Sequence, residues 1–160
     1  MTKELSHLDV RGQAQMVDVG EKAVTRRHAV AGGRIRLSVE AFELLAGGNV
    51  SKGDVLAVAR IAAIQAAKRT AEWIPLCHIL PLESVRVEFF LDAQHSLVEC
   101  EASVTATAKT GVEMEALTAV QAGLLTVYDM MKAVDKGMVI ENVRLIKKQG
   151  GRSGDFLRNE

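Results

Sequence analysis

The chemistry-bearing residues of this 160-residue chain fall in three places. From Ala116 to Val134 an apolar run carries only two charges, Asp129 and Lys132. Three residues apart on a helix, they are neighbours on one surface. Glu115, earlier in the same segment, falls about 40° from Asp129 around the axis at ~100° per residue. An i,i+3 ion pair on a solvated stripe is the plain reading of such a pattern. Stripes of that kind usually carry more charges, however, and a charge kept among apolar residues is costly without a partner or a task. A lysine in that setting loses its proton more readily and can serve acid–base chemistry, with a carboxylate to orient it. Just upstream, Thr110-Gly111-Val112-Glu113 has the T-x-x-E form of a capping box, which predicts a structural role for Glu113. The same helix N-terminus also offers free N–H groups to an anion or a carbonyl.

The second place is the apolar loop Ile74-Pro75-Leu76-Cys77-His78-Ile79-Leu80-Pro81. A lone imidazole in such a stretch is more often a hydrogen-bonded core residue than a ligand. No second ligand pair at zinc-like spacing accompanies Cys77-His78, and no third group makes Cys77 a nucleophile. The third place is Lys147-Lys148-Gln149-Gly150-Gly151-Arg152-Ser153-Gly154, where glycines permit close backbone approach and the bases supply countercharge for phosphate. It lacks the G-x-x-x-x-G-K-[ST] spacing of a P-loop. Lys52-Gly53-Asp54 reads as a turn leading into a helix N-cap.

These residues must be positioned by a small set of elements. Residues 22–37 are basic, with Val24, Val30, Ile35 and Leu37 indicating a strand and Gly32-Gly33 a bend or bulge. Ser38 predicts an N-cap for a short helix that stops at Gly47-Gly48. A second helix starts near Asp54 and ends before Pro75; its only charge between Val55 and Ala67 is Arg60, so it is expected to be buried. Alternation over 84–92 and 96–108 predicts two half-buried strands joined as a hairpin through Ala93-Gln94-His95. A third helix over about 111–135 and a strand over 138–148 follow. The order β-α-α-β-β-α-β is an α+β, ferredoxin-like (split βαβ) antiparallel sheet with one additional helix. Residues 1–15 read as a mobile arm, 16–150 as one catalytic domain and 151–160 as a Gly/basic tail.

Composition narrows the classes. Lys and Arg number 20 and Asp and Glu 20, so the formal net charge of zero argues against a bulk polyanion or membrane-surface binder. Two cysteines fit a reducing compartment, and no apolar signal-peptide core is present, so the expected location is cytoplasmic. A ligand-sensing regulatory domain of the same fold is one rival reading. An RNA-binding module is another, disfavoured because Phe89 and Phe90 are adjacent and so point to opposite faces.

Six segments bear on identity: MVDV (16–19), KGDVLAVARIAAIQAAKRT (52–70), IPLCH (74–78), KTGVEMEALTA (109–119), YDMMKA (128–133) and GGRSGDF (150–156). In order and spacing they closely resemble the molybdenum cofactor biosynthesis protein C family, the cyclic pyranopterin monophosphate synthases, from about residue 6 to 158. The resemblance implies a lyase acting on the cyclised dihydro-GTP, (8S)-3',8-cyclo-7,8-dihydroguanosine 5'-triphosphate, and releasing pyrophosphate. It implies hexamers built as a trimer of dimers, with sites at the dimer interface. Catalytic roles then fall on Lys52, Lys132 and Asp129. Substrate contacts fall on Leu76, Cys77, His78, Glu113, Met114 and Glu115, with Arg27, Lys68, Lys148 and Arg152 on the phosphate side. No tightly bound cofactor or metal is implied; whether Mg²⁺ accompanies the triphosphate stays open. The chain departs from the family at Ile79, where proline commonly follows the histidine, and at Arg152, where Lys is also common.

Overall fold

A computed structural model describes residues 7–9, 11–48 and 50–159. Nine elements follow in chain order: β1 (Thr25–Arg36), α1 (Val39–Ala46), α2 (Val55–Lys68), α3 (Thr70–Trp73), β2 (Leu82–Asp92), β3 (Leu97–Ala108), α4 (Glu113–Met131), β4 (Val139–Gln149) and β5 (Phe156–Leu157). The sheet order is β2-β3-β1-β4-β5, with every neighbouring pair antiparallel. The first four strands have the ferredoxin-like arrangement that the element order implies. β5 is an addition: the expected tail turns back and pairs Phe156 with Lys148 and Leu157 with Lys147.

Local chemistry explains the boundaries. Ser38 Oγ accepts the Ala41 N–H at 3.3 Å and Asp54 Oδ1 accepts the Ala57 N–H at 2.9 Å, so both expected caps are made. The second helix is shorter than expected. It ends at Lys68, Arg69 leaves helical geometry, and a single turn, α3, follows before the proline loop. Between β2 and β3, Asp92 Oδ1 accepts the N–H groups of Gln94 and His95, closing the hairpin. Register shifts near Gly32 confirm the bulge in β1.

α2 and α4 lie side by side on one face of the sheet, over the alternate residues Ala29, Ala31 and Ile35 of β1 and Val98, Cys100, Ala102, Val104 and Ala106 of β3. The helices approach closely because their facing positions are small, Ala59, Ala63 and Ala67 against Ala116, Ala119 and Gly123. A Cβ at Gly33 would press into Val120 and Leu124, so that glycine lets α4 settle on β1. This packing sets the position of both ends of α4. The expectation that α2 is covered on every side does not hold within one subunit: Val58 and Ile61 are exposed, as is Leu125 of α4. No helix among the described residues is long and apolar enough to cross a membrane.

Candidate active site

The two ends of α4 carry different chemistry. At the N-terminal end lies a cleft of about 500 Å³ whose wall includes Lys22, Arg27, Lys109, Lys148 and Arg152, with Glu113 as its single acid. Arg27 points inward from β1 and is only 8% exposed. Its guanidinium is fixed by the carbonyls of Ala108 (3.2 Å) and Lys109 (3.1 Å). The Gly150-Gly151 turn lies directly on it. Both glycines have φ of +89°, and a Cβ at Gly151 would overlap the guanidinium. β5 and the Gly150 N–H bond to Asp155 hold that turn in place. Lys148 bonds to Ser153 Oγ and faces Glu113 at 3.6 Å. Five cations around one open cleft form a site for a polyanion.

Glu113 does not close a capping box. The N-cap position belongs to Val112, with no side-chain cap, and Glu113 is the first helical residue. A capping box would need it two positions further into the helix. Its carboxylate folds over Gly111 instead, where a Cβ would overlap it, and faces Lys148.

Adjoining this cleft, and sharing Lys22, Thr110, Gly111 and Glu113 with it, is a smaller pocket lined by Leu76, Cys77, His78, Met114 and Glu115. The proline loop thus brings its imidazole to the start of α4. Glu115 is 4% exposed, and burial, followed by the charge of Glu113, pushes its carboxyl up to about 7. Burial, then Glu115, also raises the Cys77 thiol, which makes it a poor nucleophile. Behind Glu115, Lys68 lines a further depression together with His78 and Leu80.

The C-terminal end of α4 holds Asp129 and Lys132, joined at 2.6 Å, with Lys52 Nζ donating to the Asp129 carbonyl at 3.2 Å. Here an expectation is corrected. The pair is exposed, 64% for Asp129 and 52% for Lys132, because this part of the helix surface faces outward. The hydrogen bond from Lys132 holds the Asp129 carboxyl below its ordinary value, and the same bond holds the Lys132 ammonium above its own. Within one subunit Lys132 therefore keeps its proton more firmly. A groove between α2 and α4, lined by Arg69, Trp73, Leu125 and Tyr128, adjoins this pair.

The sequence-derived residues thus form two groups. Leu76, Cys77, His78, Glu113, Met114, Glu115, Arg27, Lys148 and Arg152, with Lys68 behind them, gather at one end of α4; Lys52, Asp129 and Lys132 gather at the other. Sixteen residues separate Glu113 from Asp129, about 24 Å of helix at ~1.5 Å per residue. Lys22 and Lys109 are further cations that sequence reasoning passed over. Lys22 opens the basic 22–37 run, which was a usable clue. Lys109 opens the KTGVEMEALTA segment, but its place beside the cleft depends on donating to the distant Gly20 carbonyl at 2.7 Å. No cluster of three or more His, Cys, Asp or Glu suited to a metal ion occurs among the described residues.

Comparison with known proteins agrees over nearly the whole chain. A cyclic pyranopterin monophosphate synthase of Chloroflexus aggregans is 58% identical over 157 residues, 98% of this chain and 95% of that protein. That of Thermomicrobium roseum is 59% identical with the same coverage. That of Heliobacterium modesticaldum is 55% identical over 156 residues, 98% of each chain. The MoaC family profile matches residues 16–151, and with these relatives it establishes that the chain belongs to the MoaC family.

Proposed function

We propose that this chain is a lyase of molybdenum cofactor biosynthesis, converting (8S)-3',8-cyclo-7,8-dihydroguanosine 5'-triphosphate to cyclic pyranopterin monophosphate and pyrophosphate. The observation that carries the reading is the cleft of five cations opening directly onto the Glu113–Glu115–His78 pocket. A triphosphate and a hydrogen-bonding heterocycle would lie in it side by side. The relatives are named for making the same product, cyclic pyranopterin monophosphate.

Chemistry assigns the parts. Ring opening and reclosure to the pterin move protons between nitrogen, carbon and oxygen, the work of Lys52 and Lys132 with Asp129 to orient the latter. In the cyclising step a sugar hydroxyl oxygen bonds to the α-phosphorus and loses its proton. The bond from that phosphorus to the bridging oxygen breaks, and pyrophosphate leaves with the electron pair. Arg27, Lys148 and Arg152, joined by Lys22 and Lys109, offset the charge that accumulates on it.

The ~24 Å between the two ends of α4 argues that no single subunit completes this site. A second copy would bring its Lys52, Asp129 and Lys132 to the phosphate cleft of the first. The exposed Trp73 and Leu125, in the groove beside that lysine group, support such a contact. The assembly is then a homo-oligomer, a hexamer made as a trimer of dimers, working in the cytoplasm.

The direct test is anaerobic incubation with the cyclised dihydro-GTP and measurement of pyrophosphate. Binding without release would favour the ligand-sensing rival. For the shared site, Arg27→Ala and Lys132→Ala are each expected to lose at least about 100-fold in turnover. After subunit exchange, mixing them should restore activity, because a mixed dimer contains one site free of both changes. No recovery despite demonstrated exchange would place the whole site within one subunit.

A further inference from the structure

Glu115 is the only acidic side chain buried among the described residues, and it forms no ion pair there. Its surroundings are charged on every side. Lys68 and Arg69 lie at the end of α2 and Glu72 in α3, and these share a depression with it. Cys77 and His78 come from the proline loop, His7 and Lys22 from the N-terminal segment, and Glu113 from its own helix. None of the cations among them comes within ion-pair distance. Glu113, two residues earlier, does have a cation, Lys148.

A buried carboxylate with no countercharge and a second carboxylate beside it is disfavoured twice, by desolvation and by like-charge repulsion. Two ionised carboxylates would also offer a ligand nothing but acceptors. The edge of a guanine-derived ring presents a carbonyl oxygen next to N–H donors, and two ionised carboxylates could serve only the N–H part of that edge.

We propose that Glu115 meets the bound heterocycle as a neutral carboxylic acid, donating its O–H to the ring carbonyl, while ionised Glu113 accepts from the neighbouring N–H groups. This deepens the reading above and rests on it, since it takes the pocket to be the seat of the guanine-derived ring. The two carboxyls differ in state because one is shielded beneath the loop and the other faces Lys148. Their difference makes the pocket complementary to a lactam edge.

The test has two parts, both on the full-length assembled protein. In the ligand-free protein with ¹³C-labelled glutamate side chains, the resonance that disappears in Glu115→Gln should titrate near neutrality. A midpoint in the ordinary carboxylate range, about 4.3, overturns the proposal, since a cation must then reach Glu115 in the assembly. The second part compares kcat/KM for pyrophosphate release from the cyclised dihydro-GTP in wild type and Glu115→Gln between pH 6 and pH 9. Glutamine keeps one donor and one acceptor at every pH. The wild-type to variant ratio should therefore fall about tenfold per pH unit above the midpoint. A ratio independent of pH, or a variant as inactive as Glu113→Gln throughout, overturns the donor role. If wild type releases no pyrophosphate at any pH, the enzymatic reading fails and the ring contact falls with it. The titration still decides the state of Glu115 by itself.

Discussion

Replacing Glu115 with glutamine should make the protein's stability less sensitive to alkali, and the size of the effect follows from its burial. In the unfolded chain this carboxyl titrates near its ordinary value of 4.5, whereas in the folded subunit burial holds it up at about 7. Below pH 4.5 it is protonated in both states and affects the balance little. Between the two values only the unfolded chain loses the proton, so each pH unit costs the folded protein about 1.4 kcal/mol. Above 7 both states are ionised and the full penalty, about 3 kcal/mol, persists. Glutamine has no such term, and its own desolvation does not change with pH. The unfolding free energy of Glu115→Gln minus that of wild type should therefore rise by about 3 kcal/mol from pH 4.5 to pH 8. Urea titrations followed by far-ultraviolet circular dichroism, at one protomer concentration so that assembly weighs equally, measure this difference. Other titrating groups largely cancel in it. A difference constant with pH would refute the reasoning, as would one that moves the other way. The second outcome would mean that Glu115 gains a cation on folding.

Other perturbations separate positioning from strain. Gly151→Ala forces a side chain into left-handed backbone and onto the Arg27 guanidinium, so it should raise KM at least about tenfold as well as lower stability by about 1–2 kcal/mol. Gly48→Ala, equally left-handed but with open space around it, should show a similar stability loss in thermal unfolding and leave KM alone. Asp129→Asn removes the carboxylate charge and weakens the hydrogen bond that together hold the Lys132 ammonium up, so the alkaline limb of the kcat profile should move to lower pH; an unmoved limb would separate Lys132 from that limb. Leu125→Glu places a charge in the exposed groove between α2 and α4 and should yield smaller species by light scattering at micromolar concentration; an unchanged mass would put the subunit contact elsewhere.

The fold was legible where local chemistry is self-contained. Ser38 and Asp54 make caps by accepting backbone N–H groups three residues on, and the alternation of β2 and β3 matches one solvated and one covered sheet face. What sequence reasoning missed depends on distant partners. Thr110-x-x-Glu113 has a correct local pattern, yet Lys148, on a strand far along the chain, draws the carboxylate away from any cap. β5 escaped notice because two residues carry no periodicity, and only the edge of β4 makes them a strand. The break at Arg69 had no glycine or proline to announce it.

The stripe of charges on α4 illustrates a deeper limit. Angle around a helix axis is legible from spacing: fourteen residues apart, Glu115 and Asp129 fall about 40° from each other around it. Depth is not, because it depends on what covers each turn. The proline loop lies against the first turn, where Glu115 is buried and its carboxyl moves up; in the last turn Asp129 is exposed, and the hydrogen bond from Lys132 moves its carboxyl down. One helix thus runs from a site's floor to a protein's surface. The described residues of its own subunit give Lys132 no apolar setting, the condition that would loosen its proton. If this lysine works as an acid–base group, the neighbouring subunit must supply that setting. Assembly would then adjust the chemistry of the site as well as complete its geometry.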